Sequence, residues 1–175
     1  MVFGGSGIGS VVEDPTPQLG GNLDMNGFTI NITAMDIEYD ASITNDNTYS
    51  GLPITGINAG ETIAFGQTVY YDTTALEWLL ADADAAGEAP CWGVAVSGAG
   101  DGEAIKILQR GIISDTAWSW TAEQLVYLSD TPGAIATEAA KPATATDIVQ
   151  PIGRAITATK ILLQVDPVNG WYVKD

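Results

Sequence analysis

Hydrophobic and polar residues alternate along much of this chain with a period of two. Phe28, Ile30 and Ile32 share one side, and Met35, Ile37 and Tyr39 face opposite to Asp36, Glu38 and Asp40. That period puts successive side chains on opposite faces of an extended strand, one buried and one wet. From Glu61 onward the alternation returns in short bursts between turn residues. Strands are predicted at 61–65, 69–72, 76–81, 92–97, 105–113, 118–121, 125–129, 134–137, 148–157, 160–165 and 171–174. The second and third of these are joined by a tight turn, Asp72-Thr73-Thr74-Ala75. Further turns are expected at 98–102, 130–133 and 166–170. Ala-rich stretches at 81–89 and 136–145 suggest helix by composition. Pro90, Pro142 and the alternation of Thr with Ala favour loops. The predicted fold class is all-β.

The bursts repeat. Val69-Tyr70-Tyr71-Asp72-Thr73-Thr74-Ala75-Leu76, an Ala-rich loop, Gly93-Val94-Ala95-Val96 and Lys106-Ile107-Leu108-Gln109 form one series. The other is Val126-Tyr127-Leu128-Ser129-Asp130-Thr131-Pro132-Gly133, an Ala-rich loop, Gly153-Arg154-Ala155-Ile156 and Lys160-Ile161-Leu162-Leu163-Gln164. Each series is a hairpin, a polar excursion and two strands. Two such units, about 68–113 and 125–168, are expected to pack face to face as a small β-barrel or sandwich with pseudo-two-fold symmetry. Residues 61–175 form this body. Residues 1–60 are expected to be an extended N-terminal arm followed by a polar, turn-rich connector over 40–60.

At 175 residues and 46% hydrophobic, the chain can bury a sizeable core. Its net charge of −16 is lopsided: residues 1–105 hold 15 acids and no Lys or Arg. An acidic half of this kind is repelled by phosphate, which argues against nucleic-acid binding. It suits a solvated surface or a basic partner. No apolar run reaches the ~20 residues that span a bilayer, and the N-terminus lacks the basic start and apolar core of a signal peptide. Synthesis in a cytoplasm and a soluble product are expected, with no membrane contact.

Candidate chemistry is sparse. There is no histidine, so imidazole base catalysis and His-ligated metals are absent. Cys91 is the one cysteine, between Pro90 and Trp92; it reads as a buried small hydrophobe. Gly4-Gly5-Ser6-Gly7-Ile8-Gly9 follows no strand and opens no helix, so it is no phosphate loop. Two acidic clusters, Asp36/Glu38/Asp40 and Asp82/Asp84 with Glu88, lack the spacing of a calcium loop and read as solvated faces. Glycoside hydrolysis needs two carboxyl groups at fixed separation, and no pair stands out. The expectation is no enzyme, no catalytic residue, no metal site and no cofactor. Of Trp78, Trp92, Trp118, Trp120 and Trp171, the Trp118-Ser119-Trp120 pair alternates, so both rings share one face, toward the core or a subunit contact.

The N-terminal segment Asp14–Ile30 carries turn-formers with spaced apolar residues. Leu19, Leu23, Met25, Phe28, Ile30 and Ile32 are candidates for burial at a subunit or capsid interface. The phrase Pro17-Gln18-Leu19-Gly20-Gly21-Asn22-Leu23-Asp24-Met25-Asn26-Gly27 resembles an element of tailed-bacteriophage virion proteins, found in tail fibres and capsid-attached proteins. That resemblance implies a β-rich, homotrimeric structural protein of the virion. Its first expectation is a capsid decoration or cement protein on the capsid surface, partnered by the major capsid protein and neighbouring copies. The alternative it allows is a tail-fibre or receptor-binding module recognising a host surface glycan through exposed Trp and Tyr.

Overall fold

The computed structural model describes residues 39–85 and 87–175. The arm candidates Leu19, Leu23, Met25, Phe28, Ile30 and Ile32 lie outside the described residues, as do Asp36 and Glu38 of the first acidic cluster. The described residues form one compact unit.

The described residues are all-β. In chain order they give β1 (Thr48–Gly51), β2 (Thr68–Asp72), β3 (Glu77–Leu80), β4 (Gly93–Ala95), β5 (Ile107–Leu108) and β6 (Arg110–Ser114). Then come β7 (Leu125–Leu128), β8 (Ile135–Thr137), β9 (Ile148–Val149), β10 (Pro151–Thr157), β11 (Lys160–Gln164) and β12 (Tyr172–Val173). One short 3-10 turn, Glu138–Ala140, interrupts them. The strands make a six-stranded sheet in the order β1-β6-β11-β10-β7-β8, a four-stranded sheet in the order β3-β2-β4-β5, and the β12-β9 pair. Every paired strand is antiparallel to its neighbour.

Five sequence expectations change here. The connector belongs to the body: β1 pairs with β6, Ile54 and Ile107 exchange backbone bonds at 2.7 and 3.1 Å, and Ala59 is fully buried. Residues 61–65 form no strand, because only Ile63 finds a reciprocal partner, Ala99. Residues 118–121 form none either. Trp118 N–H turns back to Asp115 O and Trp120 N–H reaches Ala158 O, leaving no ladder to continue. The expected 105–113 and 148–157 strands each break once, at Gln109 and at Gln150.

The two units repeat one another in register as well as in pattern. Strand order β3-β2-β4-β5 matches β8-β7-β10-β11. Val69 pairs with Leu80 and Gly93; Val126, its counterpart, pairs with Thr137 and Gly153. Ala95 pairs with Ile107 as Ala155 pairs with Ile161. A Cβ on Gly93 would lie 2.5 Å from Ile107 Cγ2 and 3.0 Å from Leu108 O, and one on Gly153 would lie 3.0 Å from Ile161 Cγ2 and 2.5 Å from Leu162 O. The same close backbone approach therefore requires glycine in both.

The correspondence runs further upstream than the sequence suggested. Gly66 N–H bonds Ala95 O and Glu123 N–H bonds Ala155 O, with φ of +83° and +69°. Ala95 and Ala155 in turn donate to Gln67 O and Gln124 O. The hairpin turns match too: Asp72 Oδ1 accepts Thr74 N–H at 2.6 Å, and Ser129 Oγ accepts Thr131 N–H at 3.1 Å.

The packing differs from the expected two-fold. The main core lies between the sheets and holds Val94 and Leu108 of the first repeat with Val126, Leu128, Ile152, Ile161 and Leu163 of the second. Val69, Trp78, Ala95 and Ile107 lie on the other face of the small sheet, in a second core with Ala59, Ile63, Ala99 and Ile105. Equivalent residues such as Val69 and Val126, or Ile107 and Ile161, thus fall in different cores. The repeats stack front to back, not face to face. A seam joins them: fully buried Gln150 accepts Cys91 N–H at 2.7 Å and donates to Cys91 O at 2.9 Å. Such a pairing satisfies two backbone groups that burial would otherwise leave orphaned.

Candidate functional site

Where each repeat keeps its aromatic residues separates core from surface. In the first repeat, Tyr71, Trp78 and Trp92 meet edge-on, with centroids 5.4 to 6.5 Å apart. Trp78 is 2% exposed and belongs to the second core, while Trp92 surfaces at the rim. Trp171 is half-buried and its indole N–H caps Pro167 O at 3.0 Å. These three tryptophans are explained by packing and capping.

Trp118 and Trp120 are placed differently. They occupy the positions of Glu61 and Ile63 in the first repeat. Their rings meet edge-to-face with centroids 5.7 Å apart, both half-buried against the main core. The expectation that both rings share one face holds, although no strand carries them. Beside them opens a groove of about 470 Å³ lined by Phe65, Gln67, Trp118, Trp120, Pro132 and Ile135 among others. Its floor comes from the loop entering β2 and its far wall from the β7–β8 turn. Gly66 lies against the Trp118 ring, since a Cβ there would come within 3.0 Å of it. The Trp120 indole nitrogen, like that of Trp78, is enclosed with no hydrogen-bond partner among the described residues.

The groove ends along β8, the last strand of the six-stranded sheet. In an antiparallel ladder, alternate residues point their N–H and C=O away from the partner strand. The bonds of β3, its counterpart, place Trp78 and Leu80 outward, so Ile135 and Thr137 face outward from β8. Among the described residues no strand or loop takes up those groups. Nothing in the alternation of residues flagged this edge; the signal lay in aligning the repeats and noticing that the tryptophans replace Glu61 and Ile63.

The titratable groups fit structural roles. Complete burial pushes the Cys91 thiol up to about 12, and its S–H points to Gly93 O at 3.1 Å. Neither a thiolate nor a general base to form one is at hand there. Burial raises the Asp82 carboxyl above the ordinary range, and Asp84 N–H donates to it at 3.2 Å. No three carboxylate or thiol groups converge on a common point among the described residues. On the outer face of β7, burial pushes Tyr127 up to about 12. Its hydroxyl donates to Glu138, which also pairs with Lys141, and the Lys141 ammonium stands 5.4 Å from the Tyr127 ring centre. This trio pins the 3-10 turn to the end of β8 and leaves the groove free of charge. No helix among the described residues is long and apolar enough to cross a membrane. Compared with known proteins, the chain matches no protein-family model and no curated protein.

Proposed function

We propose that this chain is a structural protein of a tailed-bacteriophage particle, and in the first instance a capsid decoration protein held by its N-terminal arm and displaying a β-rich body. The observation that carries the reading is the Pro17–Gly27 phrase, with its resemblance to virion elements. The body supports it: it presents a shallow aromatic groove beside a sheet edge that no described residue covers, a surface suited to protein contacts. Apolar arm residues buried between subunits at ~25 cal/mol per Å² stabilise a shell without chemistry. The proposed partners are the major capsid protein and neighbouring copies, in a homotrimer.

Quantitative mass spectrometry of purified particles tests this, since a decoration protein occurs at the copy number of the capsid lattice. A copy number matching the tail, or absence from particles, overturns it. Deletion of residues 1–27 is expected to leave the body folded and abolish attachment to capsids; undiminished attachment counts against the arm. A receptor-binding role on a tail fibre is favoured by one observation, the open placement of Trp118 and Trp120. Oligosaccharide quenching of tryptophan fluorescence, lost in Trp118→Ala, is its expected signature.

A further inference from the structure

We propose that the outer edge of β8 and the Trp118–Trp120 groove together accept an extended segment of another polypeptide. The segment adds parallel to β8, with a small residue opposite Ile135 and a carboxylate two residues later. The inference goes beyond the particle reading and does not depend on it.

The first repeat shows the occupied form of this site. There the edge of β3 is covered by the chain itself. Trp78 N–H donates to Asn58 O at 2.9 Å, Gly60 N–H donates to Trp78 O at 2.9 Å, and Ala59 bridges Trp78 in parallel. Ala59 is fully buried, and Glu61 Oε1 accepts the next outward donor, Leu80 N–H, at 2.8 Å. Residues 58–61 thus satisfy three groups of the open edge of β3, two by the main chain and one by a carboxylate.

The second repeat has the same edge without the cover. Ile135 stands for Trp78 and Thr137 for Leu80. The residues that correspond to Asn58–Glu61 are Asp115, Thr116, Ala117 and Trp118, and they are bonded elsewhere. Asp115 N–H reaches Thr159 O at 3.0 Å, Thr116 N–H reaches Asp46 Oδ1 at 3.1 Å, and Ala117 N–H closes a turn on Asp115 Oδ1 at 2.8 Å. Ile135 N–H and C=O, on the residue that lines the groove, and Thr137 N–H, beside Trp120, are left with no partner among the described residues. A bare edge of this kind is a template for strand addition, and proteins ordinarily cover or charge it. Here the groove beside it is instead lined by aromatic rings and carries no charged side chain. The occupant follows from the twin: main-chain bonds to Ile135, a small side chain at the crossing point, and an acceptor for Thr137 N–H where Glu61 would have been. A sugar supplies rings for Trp118 and Trp120 but does not match this alternating donor and acceptor row.

The probe is a synthetic peptide reproducing the twin's own cover, Ile57-Asn58-Ala59-Gly60-Glu61-Thr62, titrated into the full-length, isotope-labelled chain. Expected are saturable amide shifts at Ile135, Ala136 and Thr137 and at the indole N–H of Trp118 and Trp120. Methylating the peptide nitrogen of Gly60 is expected to abolish them. Replacing the peptide's Glu61 by Ala weakens binding about tenfold, the loss of one charge-assisted hydrogen bond. In the protein, Thr137→Pro removes the donor of that same hydrogen bond and is expected to weaken the response by a similar factor with an unchanged circular dichroism spectrum. No saturable shift, shifts mapping away from β8, or equal binding by the methylated peptide would overturn the proposal. So would shifts at β8 that appear with protein concentration alone, which would make the occupant a second β8 edge, or with oligosaccharide but not peptide.

Discussion

The two repeats share a backbone and differ in what covers it. Strand order, cross-strand register, the glycine that β4 and β10 place opposite Val69 and Val126, and the side-chain-capped hairpin turn are common to both. The first repeat is buried on both faces, because residues 54–63 and 97–105 fold over its far side and complete a second core. The second repeat buries one face against the first; its outer face keeps a small cluster of Tyr127, Ala136 and Val149 and otherwise leaves Arg154 and Leu162 to solvent. A duplicated unit is therefore used once as interior and once as surface. Backbone geometry survives this division of labour because it is set by ladder bonds, which do not depend on what lies above the sheet. Side-chain identity does not survive: Val94 and Arg154 occupy equivalent places in opposite surroundings, one in the main core and one exposed.

The sharpest way to break this comparison is through its tryptophans. Trp78→Ala removes a fully enclosed ring from the second core and is expected to cost about 4 kcal/mol, measured by urea unfolding. Trp118→Ala, on the groove, is expected to cost less than half as much. Equal losses would mean that the groove is core and the division between repeats is wrong.

A second test asks whether the repeats are equivalent at the backbone. Gly93→Ala and Gly153→Ala both force a Cβ into the adjoining strand, at a cost of about 1–3 kcal/mol for overpacking. The larger loss is expected at Gly153, where the nearest atom is the Leu162 carbonyl oxygen, whereas at Gly93 it is the methyl end of Ile107. A neutral outcome at either position would separate the two ladders.

The smallest effect concerns turn conformation. Leu76 and Glu123 hold φ of +64° and +69° at positions where the other repeat has Gly133 and Gly66, at +72° and +83°. A side chain in the left-handed region is strained by ~1 kcal/mol. Leu76→Gly, at an exposed site, is therefore expected to raise stability by up to about 1 kcal/mol, and a fall in the melting temperature would contradict the equivalence of the turns.

Much of this was legible along the chain, and the reasons for the gaps are physical. Period-two alternation is cleanest in β11, where Ile161 and Leu163 are buried and Leu162 and Gln164 exposed; β2, β3, β7 and β8 were located as short apolar runs between turn residues. β1 was missed because Thr48-Tyr49-Ser50-Gly51 is short and its ladder partner β6 lies far downstream. The predicted strands at 61–65 and 118–121 failed for a related reason: alternation reports which side chains face inward, not whether a neighbour's N–H and C=O stand opposite. Trp118 and Trp120 were recognised as a pair sharing a face. Their neighbours in the groove, Phe65, Gln67, Pro132 and Ile135, come from separate elements and had no common signal. The six arm residues from Leu19 to Ile32 fall outside the described structure and keep the standing of expectations.

By itself, then, the order of residues determined the all-β class, the duplication and the inert setting of Cys91, because these follow from local periodicity, repeated spacing and the chemistry of single side chains. Only the tertiary structure decided that the repeats stack front to back, that the described residues cover one sheet edge and not its twin, and that two tryptophans stand beside the second. Those facts depend on which distant segments meet, and the energy of meeting is a property of paired surfaces that no single segment carries.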